Sequence, residues 1–278
     1  MTASGDPITH GRRLGELQLG GLRLVETRTE AERVLRPHCH DRGNVSLLFD
    51  GSVTEWVLGS PGRKAQGPQR ASAASSVIKP SGTVHRNHFG RRCTRAFVIE
   101  VAPKRERELG LDRWGGWLHG GPAVGRLLRV YEAFQRCDPD LEPLCLEALR
   151  ELLASSQVTF EPQRLSPAST GLLDRAHQVL RSSPRMPGAG QLAAEVGVHP
   201  VYLARLFRAV HGVGIAGYRK RLRVLAAAGR LAQARPGLCE VAVATGFSDQ
   251  SHLTRAFRSE LGITPAAYRA LAARQDPA

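Results

Sequence analysis

A run of thirteen residues, Gly246-Phe247-Ser248-Asp249-Gln250-Ser251-His252-Leu253-Thr254-Arg255-Ala256-Phe257-Arg258, joins a helix breaker to a cluster of side chains with hydrogen-bonding ends. Ser248 offers a side-chain oxygen to cap a new helix, and Asp249 puts negative charge where a helix N-terminus favours it. Leu253 and Phe257 lie four residues apart on one face, while Gln250, Ser251, His252, Thr254 and Arg255 crowd the other. Amide, hydroxyl, imidazole and guanidinium groups in one row can reach base edges and phosphates in a major groove, so the stretch reads as a recognition helix.

The same pattern occurs twice. Leu203, Arg205, Phe207, Arg208, Gly212, Tyr218 and Arg219 recur fifty positions later as Leu253, Arg255, Phe257, Arg258, Gly262, Tyr268 and Arg269. Upstream, Leu192 to Gly197 matches Val241 to Gly246 at an offset of forty-nine, so the copies differ by one residue in the turn. Two copies are too few for a solenoid. Two helix-turn-helix units, over 190–210 and 238–261, joined by a helix account for the spacing.

A second constellation is rich in histidine: His38-Cys39-His40, and His85-Arg86-Asn87-His88 after Pro80-Ser81-Gly82. Residues i and i+2 of a strand point the same way, so His38 and His40 can share an interior. The Pro80-x-Gly82-x-x-His85 and His-x-His patterns resemble the two signatures of cupins, in which such residues bind metal. Here the acidic ligand expected after the second histidine is missing, since Asn44, Val45 and Ser46 fill that region and Asp41 points to the opposite face. His38, His40, His85 and His88 can still hold a divalent transition metal, because neutral imidazole suits such ions. The alternative is a set of turn and core histidines with no metal. No catalytic residue can be assigned, and an enzyme is not expected. A small ligand in the barrel mouth would meet His40, Phe49, Trp56 and His85.

These groups need a scaffold, and the chain suggests a two-domain α+β protein. Residues 1–21 carry no firm periodicity and are expected to be loose. Strand-like runs cover Leu22 to Thr27, Val45 to Phe49, Val53 to Leu58, Ser76 to Ile78 and Ala96 to Val101, with Asp50-Gly51 as a hairpin signal and Gly59 to Ala74 as a loop. Short strands with Gly and Pro turns suggest a small barrel or jelly roll, giving a cupin-like β-barrel with helices over 22–158. The charged run Lys104 to Glu108 reads as solvated, and Trp114 to Gly121 as a glycine-rich turn. Two helices follow, from Pro122 and over 141–154, whose apolar stripes suit either the barrel or a homodimer. Residues 159–170 read as a linker, and 171–274 as an all-α domain holding both helix-turn-helix units.

The 278 residues carry a formal net charge of +14, of which residues 171–278 hold +9. Only four of the basic residues are lysines, and biased coding accounts for much of so arginine-rich a composition. Five widely spaced cysteines without a CxxC pair fit a reduced compartment. With no leader-like segment at the start and no apolar run near the roughly 20 residues that span a bilayer, a cytoplasmic protein is expected.

Three segments then identify a resemblance: Gly246 to Leu253, Arg255 to Arg258, and Gly262-Ile263-Thr264-Pro265-Ala266-Ala267-Tyr268-Arg269. About the last hundred residues resemble the AraC/XylS family of transcriptional regulators. The resemblance implies two helix-turn-helix units on successive major grooves and an N-terminal cupin-like sensing or dimerising domain. Base-facing positions would then be Val201, Ala204 and Arg205 in unit one, and Gln250, Ser251, His252 and Arg255 in unit two. Arg208, Arg219, Lys220, Arg221 and Arg258 are expected on phosphates, which position without reading sequence. Implied partners are double-stranded promoter DNA, a small-molecule effector, a second copy, and RNA polymerase for an activator. The competing classes are a metal-dependent cupin enzyme with a helical appendage, and a protein that binds DNA nonspecifically through charge.

Overall fold

The computed structural model describes residues 11–59, 65–113, 115–160, 166–182, 186–233 and 236–273. Of the start expected to be loose, 1–21, residues 1–10 lie outside the described residues, as do Trp114 and 161–165 in the middle of the expected linker; the remainder is not loose, because Arg12–Leu19 forms a strand.

Ten antiparallel strands form two facing sheets. They are β1 (Arg12–Leu19), β2 (Leu22–Thr29), β3 (Val34–His38), β4 (Gly43–Asp50), β5 (Ser52–Gly59), β6 (Gln66–Ser72), β7 (Ser75–Lys79), β8 (Val84–Phe89), β9 (Thr94–Val101) and β10 (Gly116–His119). One sheet runs β1-β2-β9-β4-β7-β10 and the other β3-β8-β5-β6. Five of these strands, β1, β3, β6, β8 and β10, fall outside the strand-like runs of the sequence. Arg12–Leu19 pairs with β2 as an edge, β6 occupies part of the expected loop, and β10 occupies the expected glycine-rich turn. Strands that lie at a sheet edge with much of their length exposed carry little periodic signal.

Asp50-Gly51 is not a hairpin. β4 and β5 belong to different sheets, and Gly51, at φ +77°, hands the chain from one to the other. A Cβ there would lie 2.4 Å from Thr94 Oγ1 and 2.6 Å from the Cys93 carbonyl oxygen, so only glycine makes the turn.

The six-stranded sheet is buried on both faces. Ser46, Leu48, Val77, Ala96, Val98 and Trp117 face the other sheet, while Val45, Leu47, Phe49, Phe97, Ile99 and Leu24 face the helices. Helices α1 (Pro103–Leu109), α2 (Pro122–Arg136) and α3 (Leu141–Phe160) follow the strands. α1 is not merely solvated: Glu106 is buried, and its Oε1 accepts the Ser81 N–H at 2.8 Å. The stripe of α2 packs within the chain, with Val124, Leu127, Leu128 and Tyr131 in the core beside the sheet.

Among the described residues seven helices follow: α4 (Pro167–Ser182), α5 (Ala189–Val196), α6 (Pro200–His211), α7 (Ile215–Leu231), α8 (Leu238–Ala244), α9 (Gln250–Leu261) and α10 (Pro265–Ala272). α4 starts four residues before the sequence-expected boundary. The cores do not divide at the expected linker. Residues of α4, α5, α6 and the start of α7 form one cluster. The rest of α7, with α8, α9 and α10, shares a single cluster with α2, α3 and the outer sheet face. α2 and α9 cross so closely that a Cβ on Gly125 would lie 2.4 Å from the Leu261 carbonyl oxygen. Tyr268 of α10 donates its hydroxyl to the Phe49 carbonyl at 3.0 Å.

One buried ion pair sits at this junction. Arg95 Nε donates to Glu26 Oε1 at 2.6 Å, Nη1 to the Ala272 carbonyl at 2.7 Å, and Nη2 to the Tyr131 hydroxyl. Gln135 Nε2 donates to Glu26 Oε2 at 2.6 Å. Arg95→Met strands the Glu26 carboxylate, so urea unfolding is expected to show a loss of about 3–5 kcal/mol. Arg95→Met/Glu26→Leu should recover much of it. A single variant as stable as the parent would show that the pair does not hold the junction.

Candidate nucleic-acid interface and interior cavity

The two helix-turn-helix units are built alike. Gly197 and Gly246 both take positive φ, +77° and +80°, and the following N–H groups of Val198 and Phe247 each return 2.9 Å to Ala193 and Ala242. Gly212 and Gly262 close α6 and α9 at φ +67° and +69°. Unit two has the extra turn residue, Ser248, and it moves the cap. Asp249, not Ser248, is the N-cap: its carboxylate accepts the His252 N–H at 2.7 Å, a bond that holds the acid below its usual range. Ser248 Oγ instead donates to Asp249 Oδ2 at 2.8 Å and lies 3.1 Å from His252 Nδ1. An aspartate caps as well as a serine and adds charge where the dipole favours it, so the later position wins.

On α9, Leu253, Ala256 and Phe257 are buried, and Gln250, Ser251, His252, Arg255 and Arg258 are exposed. His252 lies edge-on to Phe247 with ring centroids 5.2 Å apart, and Cys239 Sγ sits 3.2 Å from Gln250 Oε1. On α6, Leu203, Leu206 and Phe207 are buried; Arg205 and Arg208 are exposed and Ala204 is half-buried. Val201 is 61% exposed and Tyr202 44%, an apolar pair facing solvent at the start of the helix. Tyr202 went unnamed in the sequence, although it adjoins Val201; its hydroxyl is 3.1 Å from Ser169 Oγ.

The five expected phosphate ligands separate into two groups. Arg208 and Arg258 are exposed, and Lys220 Nζ donates to Ser259 Oγ, at 3.2 Å, on the surface. Arg219 and Arg221 have protein partners. Arg219 Nη2 donates to the Met186 carbonyl at 2.6 Å, as its repeat partner Arg269 does to Pro236 at 2.6 Å. Arg221 pairs with Glu260, which is buried on α9. Two of the cations of α7, Arg219 and Arg221, thus hold neighbouring segments in place.

Between the sheets lies a cavity of about 80 Å³, lined by both apolar and ionisable residues. It is smaller than the roughly 150 Å³ that admits a benzene ring. Of the expected ligand residues, His40 and His85 line it. Phe49 faces the opposite side of β4, its ring 4.3 Å from that of Tyr131, and Trp56 lies under Arg86, whose guanidinium is 4.4 Å from its ring. Alternation puts Leu48 and Glu55 inside in their place, and apolar residues on both sides of β4 hid the register. Glu55, Lys79, Asn87 and Trp117 also line the cavity and were missed. The sequence signals were a lone acid in Val53-Thr54-Glu55-Trp56-Val57 and a lone lysine ending an apolar strand.

His38, His40 and His85 come together, with one ring nitrogen from each within 4.8 Å of the others. His88 does not join them: it is exposed, on the other face of β8 from His85. Glu55 Oε2 accepts Lys79 Nζ at 2.7 Å and Asn87 Nδ2 at 2.9 Å. Lys79 Nζ also lies 3.2 Å from His85 Nε2, whose ring gives Nδ1 to the Thr83 carbonyl at 2.9 Å. Burial, then Lys79, pushes the His85 imidazole far below its usual range.

A half-buried pair lies beside unit one, where His177 Nε2 of α4 is 2.8 Å from His211 Nε2 at the end of α6. Burial pushes His177 down to about 4 and His211 down to about 3, with Arg181, Arg221 and His119 nearby. Unfolding returns both to about 6.5, so the unfolded chain binds more protons below that pH. Stability is therefore full above about pH 6.5 and falls as the pH drops toward 4. The melting temperature should fall over that window, and less steeply in His177→Gln; a flat wild-type profile would contradict the neutral pair.

Residues 192–271 match the family described as a helix-turn-helix domain. The chain is 36% identical over 78 residues to the HTH-type transcriptional regulator GlxA of Rhizobium meliloti, covering 28% of this chain and 24% of the relative. It is 31% identical over 78 residues to the regulatory protein PocR of Salmonella typhimurium, covering 28% and 26%. It thus spans about a quarter of the length of these relatives. A crystal structure of a transcriptional regulator with an AraC-type DNA-binding domain from Chromobacterium violaceum is 29% identical, covers 38% of this chain and 96% of its own, and has a TM-score of 0.37. Among the described residues no helix is long and apolar enough to cross a membrane.

Proposed function

Because residues 192–271 are a helix-turn-helix domain of the AraC type, we propose that the protein is a transcriptional regulator that reads specific promoter DNA through α6 and α9. The observation that carries this reading is the pair of equally built units, each turning one polar helix face outward on a buried apolar one. Their chemistry is unequal. α6 offers Val201 and Ala204 for apolar contact with a thymine methyl and Arg205 for a guanine; α9 offers Gln250, Ser251, His252 and Arg255, so direct readout is richer there. Arg208, Arg258 and Lys220 take phosphates. Arg219 and Arg221 serve DNA binding by holding the units in place. Double-stranded DNA is the primary partner, with RNA polymerase joining it where the protein activates.

The N-terminal sandwich modulates this reader through a small ligand or through a second copy. Its cavity suits a molecule of few atoms that donates to Glu55 Oε1 and accepts from Trp117 Nε1, two buried groups without hydrogen-bond partners among the described residues.

Two assays test the reading. Arg255→Ala should cost about 1–3 kcal/mol and relax specificity at one base position, whereas Arg258→Ala should weaken all sequences alike and lower the salt slope by about one. Random DNA that competes as well as any promoter fragment would overturn sequence-specific reading in favour of charge-driven binding.

A further inference from the structure

The three-histidine cluster has the construction of a metal site. His38 Nδ1 lies 2.7 Å from the Arg36 carbonyl and His85 Nδ1 lies 2.9 Å from that of Thr83. Donation to these carbonyls fixes each ring with Nε2 as the remaining donor atom, the arrangement by which outer partners orient imidazole ligands. The three rings pack with centroids 4.3 to 5.3 Å apart. A carboxylate is present in the same cavity, supplied by Glu55 from β5 rather than by the loop after His40.

Yet the donors do not fit a metal as they stand. The lone pair of His85 Nε2 that a metal would take faces Lys79 Nζ at 3.2 Å. A transition metal needs that nitrogen at about 2.0–2.1 Å, and one lone pair cannot serve both. The ammonium also holds Glu55 Oε2 at 2.7 Å, and would lie within a few ångströms of a second cation. Lys79 and Glu55 are both buried, so the lysine is part of the interior and not a surface side chain that swings aside at no cost.

We propose that the Lys79 ammonium is the resident cation of this site, occupying the position that a divalent transition metal takes among His38, His40 and His85 once Lys79 is gone. The wild-type cavity is thereby a charge-balanced, metal-free interior, and the site is latent. This assignment stands independently of DNA reading.

Titration of the full chain with Co²⁺, followed by its visible absorption, tests the assignment. Lys79→Met is expected to bind one Co²⁺ per chain at least about tenfold more tightly than wild type, with the band lost in Lys79→Met/His85→Ala. Because Lys79→Met strands the Glu55 carboxylate, Lys79→Met/Glu55→Gln is measured beside it; it keeps a neutral cavity with three imidazoles and should also bind Co²⁺ more tightly than wild type. Co²⁺ should raise the melting temperature of both variants and leave that of wild type unchanged. Wild type binding Co²⁺ as tightly as Lys79→Met, or cooperatively melting Lys79 variants that bind none, would overturn the proposal.

Discussion

The Arg95–Glu26 pair is the interaction on which the arrangement of the molecule depends. A buried guanidinium is tolerable only with its donors satisfied, and Arg95 finds partners on the sheet, on α2 and at the end of α10. Those three partners belong to the sandwich, the helix layer and the helix-turn-helix region. The ion pair therefore requires all three to be in place at once. The apolar cluster around it says the same in another way, because Phe49, Tyr131, Leu253 and Tyr268 lie in one continuous core.

From this follows an asymmetry between the two helix-turn-helix units. Unit two is rooted in the sandwich: α9 touches α2 at Gly125, and Tyr268 is bonded to β4. Unit one keeps its own core and meets the rest through α7, through α3, which packs near α6, and through the half-buried polar groups around His119, His177 and Arg221. Duplication thus produced two copies of one local structure with different allegiances. α7 spans both cores, contributing Ile215 and Tyr218 to one and Val224, Ala227, Ala228 and Leu231 to the other.

The helical half was legible because its signals are local. Caps, C-terminal glycines and apolar residues three or four apart specify each helix from within its own length, and the fifty-residue repeat let one copy check the other. Where the reading slipped, as with Ser248 for Asp249, two capping residues stood side by side. The sandwich was harder. Its central strands are apolar on both faces, so alternation could not say that Leu48 rather than Phe49 faces the cavity. Its edge strands, β1 and β3 among them, are largely exposed and weakly patterned. Glu55 and Lys79 come from strands separated by twenty-four residues, and nothing local announces that they meet. Arg219 and Arg221 were legible as cations but not as partners, since Met186 and Glu260 are distant in sequence.

The two-sided burial of β4 and β9 also bears on how the halves can communicate. Along β9, Ala96 and Val98 line the cavity while Arg95, Phe97 and Ile99 face the helices; along β4, Ser46 and Leu48 alternate in the same way with Leu47 and Phe49. Cavity and unit-two core are therefore separated by the thickness of one strand. Close-packed interiors transmit displacement instead of absorbing it. An occupant that spreads the sheets must move backbone that carries Phe49 and Arg95 on its other side, and those residues hold α10 through the Phe49 carbonyl and the Arg95 guanidinium. Unit one, with a separate core, feels the same displacement only through α7 and its polar contacts. The spacing between α6 and α9, on which the proposed reading of two grooves would depend, is thus the quantity that a change in the sandwich would alter first.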